Sequence, residues 1–258
     1  MAKAKEHEEI SEIYNKSNYI ILPGRKHGVH EFDDLFVAKY RLRADKYRLR
    51  ADNLVRKTAG TLGLRVKNTG VGLSGSSFIG DINWEEALKL NLALQGETLS
   101  LRRFIDLKEL LEFGLGGGKV YHGTGKQMHD LREIRAVYDE IFAAKDPWRG
   151  ESIDAYFIQD PKSRQLYINY NHLLSENNLR PQISEPLEDY LTKEENLSLL
   201  EYNKQGLPIK CEGFYYYPPK NNSVAGFDAS SGGVGLSCDG DPAVTVFSLG
   251  VRHARKKF

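Results

Sequence analysis

The sequence predicts an α+β protein with a mainly antiparallel sheet and with helices that come from its first half. Two observations carry this prediction. Apolar residues recur at helical spacing between residues 84 and 141, and from residue 153 onwards they alternate with polar residues. Helices that precede strands in this way favour an α+β arrangement over one in which helices and parallel strands alternate.

Three helices are expected in the first half. The first follows Asn83, a good N-cap residue, and has two glutamates in its first turn. The second carries Phe104 and the leucines up to residue 111, and Gly114 suits its end. The third begins at Asp130, with Glu133 in the position of a capping pair.

Strands follow the helices. Residues 153–158 and 166–170 alternate, and the segment Asp160–Ser163 between them is a turn sequence. A short aromatic strand is expected at residues 214–217 and a last strand at 249–252. Residues 1–25 are interpreted as a lead-in segment before a domain that spans residues 26–258. A tandem heptad at 39–45 and 46–52 is expected to form a solvated helical stretch.

The whole-chain composition excludes several classes of protein. The 258 residues include 36 Lys and Arg against 35 Asp and Glu, which argues against a nucleic-acid or anionic-membrane coat. Two cysteines cannot build a disulfide framework. No apolar stretch is long enough to span a membrane, and no secretory signal is visible. The sequence does not determine the location of the protein and leaves two open: the cytoplasm, or a virion or cell surface reached by another route.

One segment has an anomalous composition. Lys, Glu, Gln, Met and Trp together make up 48 of the first 220 residues, a share that would put about eight of them into residues 221–255, which contain none. A loop-rich segment would explain the glycines and serines but would usually keep some Lys or Glu. No codon that ends in C encodes any of the five missing amino acids. A process that randomises the first two bases of AAC codons would leave this signature.

Residues 20–258 contain motifs that resemble, in order, those of the variable proteins of diversity-generating retroelements, above all those of archaea and small-genome bacterial lineages. In that family, adenines of a template are converted to any base during copying, which matches the composition gap. The resemblance implies a C-type lectin fold, in the variant of formylglycine-generating enzymes, and a variable region at residues 221–252. The motifs are Pro23–Gly28, Asp146–Arg149, Ile153–Ala155, Leu166–His172, Glu185–Glu188, Gln205–Pro208, Tyr215–Pro218, Asn222–Ala225 and Leu249–Arg252.

The resemblance also implies which residues vary and which hold the scaffold. Three residues, Thr245, Phe247 and Ser248, cannot be assigned to either set. The implied ligand-binding positions are Gly226, Asp228, Ser230, Gly232, Gly233, Gly235, Ser237, Asp239, Gly240, Ala243, Val244 and Val246. The implied scaffold positions are Ser223, Val224, Ala225, Phe227, Ala229, Ser231, Leu236, Pro242, Leu249, Gly250, Val251 and Arg252.

The expected function is therefore non-catalytic binding of a macromolecule, most simply a protein, without cofactor or metal. The variable set is small and rich in glycine and lacks Tyr, Trp and Arg, which predicts a flat face that binds weakly. One alternative is an oxidoreductase of the formylglycine-generating type that uses Cys211 and Cys238, and another is a structural adaptor. His27 and His30 have metal-like spacing but no neighbouring ligand cluster in the sequence.

Overall fold

A computed structural model describes residues 15–44, 50–192, 201–210 and 215–257, with the backbone alone for residues 50–52. A short 3-10 helix, Lys16–Asn18, opens the described part. The helices there are α1 (Arg50–Thr61), α2 (Trp84–Ala93), α3 (Leu101–Leu115) and α4 (Leu131–Phe142). The strands there are β1 (Tyr19–Leu22), β2 (Lys26–His27), β3 (His30–Glu31), β4 (Leu35–Arg41), β5 (Lys67–Val71), β6 (Ser77–Gly80), β7 (Arg149–Gln159), β8 (Leu166–Ser175), β9 (Asn178–Pro186), β10 (Glu201–Tyr202), β11 (Pro208–Lys210), β12 (Tyr215–Tyr217), β13 (Ser223–Ser230), β14 (Gly233–Gly240), β15 (Leu249–Gly250) and β16 (Arg252–Lys256).

The three expected helices are present, and side-chain hydrogen bonds explain where α2 and α4 begin. At the start of α2, the Asn83 side chain accepts from Glu86 N at 2.9 Å, and the Glu86 carboxylate accepts from Asn83 N at 2.9 Å. At the start of α4, the Asp130 carboxylate accepts from Arg132 N at 2.9 Å. The expected end of α3 at Gly114 is wrong, because the helix continues to a cap at Gly116. Gly114 instead lies where a Cβ would come within 2.4 Å of the Val120 side chain.

The largest sheet has the strand order β12-β14-β13-β7-β8-β9, and β15 pairs with β7. The pairs β14–β13, β13–β7, β7–β8 and β8–β9 are antiparallel, whereas β12–β14 and β15–β7 are parallel. The turn between β7 and β8 forms around Asp160, whose carboxylate accepts from the amides of Lys162 and Ser163. The prediction of a mixed fold with mostly antiparallel sheets is confirmed.

A second sheet joins the two ends of the described chain. Its order is β1-β4-β16, and both pairs are antiparallel. Residues 19–22, which the sequence analysis placed in a lead-in segment, form β1 and are mostly buried. The described part of that segment therefore belongs to the folded domain, while residues 1–14 lie outside the described ranges.

The tandem heptad does not form one solvated helix, so that expectation is wrong. Residues 39–41 of the first copy belong to β4, and the described end of the second copy, residues 50–52, begins α1. Lys39 and Arg41 are buried because each finds a carboxylate far along the chain: Lys39 Nζ lies 2.7 Å from Glu133, and Arg41 Nη1 lies 2.8 Å from Glu140. Tertiary partners thus override a local pattern that suggested exposure.

The core lies between the largest sheet and helices α3 and α4. Phe227 of β13 packs against Phe104 of α3 and Phe142 of α4, with ring centroids 5.2 and 5.3 Å away. Helix α2 covers the other face of the sheet near β7 and β8, where Trp84 stacks on Tyr156. The neighbouring part of that face, on β13 and β14, is left open. Across the described ranges, no helix combines the length and the apolar character that a membrane span needs.

Candidate functional site: the face of the β13–β14 hairpin

Strands β13 and β14 form a hairpin whose residues alternate between the core and the surface. Ala225, Phe227 and Ala229 point inward and are almost fully buried, as is Leu236 across from them on β14. The residues between them point to the opposite side of the sheet, because side chains alternate along a strand. We call the outward set, Gly226, Asp228, Ser230, Gly233, Gly235 and Ser237, the hairpin face.

Antiparallel pairing brings the hairpin face together as three cross-strand pairs. Gly226 lies opposite Ser237, Asp228 opposite Gly235, and Ser230 opposite Gly233. Of the twelve implied ligand-binding residues, eleven are exposed or half-buried and one is buried. Exposed are Gly232, Ala243 and Val244; half-buried are Gly226, Asp228, Ser230, Gly233, Ser237, Asp239, Gly240 and Val246; buried is Gly235.

At Gly235 and Gly233, the surrounding atoms or the backbone conformation restrict which side chains could replace glycine. Gly235 lies under Asp228 and Tyr215, and a Cβ there would come within 3.3 Å of Asp228 Oδ1, which explains its burial. Gly233 has a φ of +137°, and a Cβ there would lie 2.8 Å from the Tyr215 ring. Gly226 differs, because the nearest atom to its Cβ position is 3.6 Å away. A side chain therefore fits at Gly226 and not at Gly233.

The implied scaffold residues are mostly buried, with three exceptions. Ser231 is exposed, because it lies in the turn between β13 and β14, where its amide donates to Asp146 Oδ1 at 3.1 Å. Pro242 and Leu249 are half-buried. Among the unassigned residues, Thr245 and Phe247 are exposed and Ser248 is buried.

Four exposed aromatic side chains border the hairpin face, and three lie outside the variable region. Tyr215 and Tyr217 of β12 pair in parallel with Gly235 and Ser237, so they share their side of the sheet. Tyr215 is 51% exposed, while Tyr216 between them is buried. Trp148 precedes β7 and meets Phe247 edge to face, with ring centroids 5.2 Å apart. We call Trp148, Tyr215, Tyr217 and Phe247 the aromatic rim.

The aromatic rim differs from the flat face expected from the sequence, because that expectation was based on the variable positions alone. Its signal was present in part: Tyr215–Tyr217 alternates as a strand with two outward aromatics. The parallel pairing of β12 with β14, which places these rings beside the hairpin face, leaves no local mark in the sequence.

Asp228 connects the hairpin face to the aromatic rim. Its Oδ2 accepts a hydrogen bond from the Trp148 indole Nε1 over 3.1 Å. Burial raises the pKa of the Asp228 carboxyl, and the Trp148 hydrogen bond offsets only part of this effect. Among the described residues, no cationic side chain lies within ion-pair distance of Asp228.

Arg149 holds the segment that carries Trp148. Its guanidinium is fully buried and donates to six backbone carbonyl oxygens, at distances from 2.6 to 3.4 Å. Five of these belong to residues 139–147, at the end of α4 and in the following loop, and the sixth belongs to Ala229 of β13. Burial lowers the pKa of Arg149. A single side chain therefore fixes the loop, the end of α4 and the hairpin relative to one another.

The oxidoreductase alternative depends on the thiols of Cys211 and Cys238. Cys211 lies outside the described residues. Cys238 is fully buried in the core under the hairpin, and burial, with the charge of Asp239, raises the pKa of its thiol well above the usual value. A buried thiol with a raised pKa is a poor nucleophile and a poor metal ligand.

The two histidines with metal-like spacing bind carboxylates instead. His27 Nε2 lies 3.0 Å from Asp106, and His30 Nε2 lies 2.8 Å from Glu185. Within the ranges that the structure covers, no three His, Cys, Asp or Glu side chains are grouped so that they could hold a metal ion. A further buried pair, Asp154 and His172, is closed off from solvent next to Trp84.

Comparison of the chain with family models, with curated proteins and with solved structures found no match.

Proposed function

We propose that the protein is a non-catalytic binding protein of a diversity-generating retroelement, built on a C-type lectin scaffold of the formylglycine-generating-enzyme variant. Its binding surface is the hairpin face with the exposed loop at residues 241–247. The ligand is a macromolecule, most simply a protein.

A single coincidence carries this proposal. The segment that lacks Lys, Glu, Gln, Met and Trp is also the segment that forms β13, β14 and the loop after them. Within it, the positions expected to vary point outward almost without exception, and Phe227, Ala229 and Leu236 point inward. Random substitution at outward positions leaves the core intact, because surface substitutions usually change stability by less than about 0.5 kcal/mol.

The rest of the structure supports a rigid frame for such a face. A binding surface needs contact residues that change on a scaffold that does not. Helices α3 and α4 support the inner side of the hairpin, and Arg149 ties the hairpin to the loop that carries Trp148. The aromatic rim supplies the anchoring side chains that the variable set lacks.

The neighbouring DNA provides the test. We expect a reverse-transcriptase gene and a near-repeat of the codons for residues 221–252 that differs only at template adenines. Adenine-specific differences at the codons for Asp228, Ser230 and Ser237, with identity at those for Phe227, Ala229 and Leu236, would match the division seen in the hairpin. A locus without any such repeat would overturn the proposal.

A protein-level test uses two libraries with equal numbers of NNC codons. One library diversifies outward positions 228, 230, 237 and 244, and the matched control diversifies inward positions 225, 227, 229 and 236. We expect most members of the outward library to resist proteolysis like the parent, and most of the inward library to be degraded. Equal survival of both libraries would contradict the role of the hairpin face as a surface that tolerates diversity.

A further inference from the structure

The exposed charge of the variable region is one-sided. Residues 221–252 contain Asp228, Asp239 and Asp241 and a single cationic residue, Arg252, which is buried and paired with Glu151. Asp146, from the loop before β7, adds a fourth carboxylate where it accepts from the amide of Ser231. Two lysines adjoin this group. Lys220 Nζ lies 2.7 Å from Asp239, and Lys145, which precedes Asp146, has its Nζ 3.2 Å from Asp139. Asp228 is the charged residue of the hairpin face itself, so that face is negative.

Asp228 is the carboxylate best placed to use that charge. Oδ2 is occupied by the Trp148 indole, whereas Oδ1 receives no hydrogen bond from any residue in the described ranges. Oδ1 faces Gly235, where the absence of a side chain leaves no competing donor. A half-buried carboxylate with one free oxygen attracts a cation more strongly than a fully solvated one.

Aromatic groups flank the same carboxylate. Trp148 is 41% exposed beside Oδ2, with Phe247 against its edge, and Tyr215 lies over the neighbouring glycines. Aromatic faces attract guanidinium and ammonium groups, and the attraction grows as water is displaced. A carboxylate between aromatic rings is the combination that recognises an arginine or lysine side chain.

We propose that Asp228, Trp148 and Tyr215 form a subsite for a cationic side chain, and that this copy of the protein binds a basic segment of a partner protein. The inference rests on the proposed function, in that it takes the hairpin face as the binding surface. Arginine fits better than lysine, because its planar guanidinium can bind Asp228 Oδ1 while it stacks on an aromatic ring. Since Asp228 belongs to the variable set, the specificity belongs to this sequence and changes when residue 228 changes.

The first experiment titrates the full chain with N-acetyl-arginine amide and, as the uncharged isostere, N-acetyl-citrulline amide. The indole N–H signal of Trp148 is followed by NMR, and Trp148→Phe identifies it among the two tryptophans. We expect a saturable shift with the arginine compound, weakened by added salt, and none with the citrulline compound. Equal shifts with both compounds would show that the site binds without regard to charge. That result, or no shift with either compound, would overturn the proposed cation subsite.

The second experiment compares Asp228→Asn with Asp33→Asn. Both remove one charge, but Asp33 lies outside the proposed binding surface, in an exposed pair with Lys256. We expect Asp228→Asn to weaken binding of the arginine compound about tenfold and Asp33→Asn to change it less than about twofold. An equal effect of both variants would mean that the arginine compound is attracted by the overall negative charge and not by a subsite at Asp228. If Asp228→Asn failed to fold, the arginine–citrulline comparison on the unmodified chain would still decide.

The same variants extend the test to peptides. A random-peptide phage library selected on the full chain should return sequences enriched in Arg and Lys, and selection on Asp228→Asn should not. Binders without basic residues would overturn the inference. The outcomes are separable from those of the proposed function: a locus without a template repeat leaves the cation subsite intact, and a repeat without arginine binding removes only the subsite.

Discussion

Arg252 and Glu151 form a buried ion pair that ties the end of the variable segment to strand β7. Arg252 Nε donates to both carboxylate oxygens of Glu151, at 2.8 and 3.0 Å, and Nη1 donates to the carbonyl of Ala38 at 2.6 Å. Arg41 approaches the same carboxylate from β4, with Nη2 3.3 Å from Oε1. Arg252 and Arg41 therefore share the Glu151 carboxylate where the two main sheets meet, and Arg41 has a second carboxylate partner in Glu140.

Replacing Glu151 by alanine should destabilise the protein strongly, because it leaves Arg252 and Arg41 buried without their shared counter-charge. We expect the free energy of unfolding in urea to fall by about 3–5 kcal/mol. Glu151→Gln, which keeps an acceptor of the same shape, should fall between this variant and the parent. Lys220→Ala is the control, since it breaks an exposed pair with Asp239 and should change stability by about 1 kcal/mol or less. A similar small effect for Glu151→Ala would contradict the role assigned to the pair.

The Glu151 carboxylate should make the free energy of unfolding depend on pH. Burial on its own would raise the pKa of Glu151, but Arg252 and Arg41 outweigh it and lower the pKa below the usual 4.5. The unfolded chain thus takes up this proton at higher pH than the folded chain. Its contribution to stability is full above the unfolded pKa and is lost as the pH falls through the folded pKa.

The measurement compares urea unfolding of the parent and Glu151→Gln from about pH 7 to about pH 3. We expect the difference in unfolding free energy between the parent and Glu151→Gln to be constant near neutrality. It should shrink below about pH 4.5, because only the parent can take up a proton at residue 151. A difference that stays constant over the whole range would show that the charge of Glu151 does not stabilise the fold.

These buried charges also show where the sequence could not predict the structure. The cap at Asn83 and the turn at Asp160 are local, since each side chain accepts from an amide two or three residues away, and both were predicted. Lys39 and Arg41 find carboxylates 94 and 99 residues further along the chain, and nothing near them signals burial. The alternation of the hairpin face was implied by the family resemblance, which assigned varied and scaffold positions residue by residue. The aromatic rim instead depends on which strand lies beside β14, and no residue near Tyr215 signals that pairing.

Replacement by serine should change the stability of the protein to different extents at Gly226, Gly233 and Gly150, which lie on or beside the hairpin face. Gly226→Ser places a Cβ no closer than 3.6 Å to any neighbour, so we expect stability to change by about 0.5 kcal/mol or less. Gly150→Ser would place its Cβ 2.5 Å from Leu249 Cδ2 and 2.6 Å from the Phe227 carbonyl oxygen, and overpacking of this kind typically costs about 1–3 kcal/mol. Gly233→Ser adds backbone strain at a φ of +137°.

Thermal and urea unfolding of the three serine variants provide the measurement. The order of stability should be Gly226→Ser, then Gly233→Ser and Gly150→Ser, with only the first close to the parent. If Gly226→Ser were as destabilised as Gly150→Ser, position 226 could not be one that accepts varied side chains.

Cys238 should be chemically inert in the folded protein. Its side chain is fully buried and its pKa is raised by burial, so the thiolate that reacts with disulfide reagents is scarce and inaccessible. In a Cys211→Ser variant, Cys238 is the one remaining thiol of the two in the chain. We expect it to resist labelling by a thiol-exchange reagent at neutral pH and to react only when urea unfolds the protein.

The positive control is Val244→Cys in a Cys211→Ser, Cys238→Ala background, because residue 244 is 53% exposed and should label at once. Rapid labelling of Cys238 in the folded chain would remove the argument against a redox role and favour the oxidoreductase alternative.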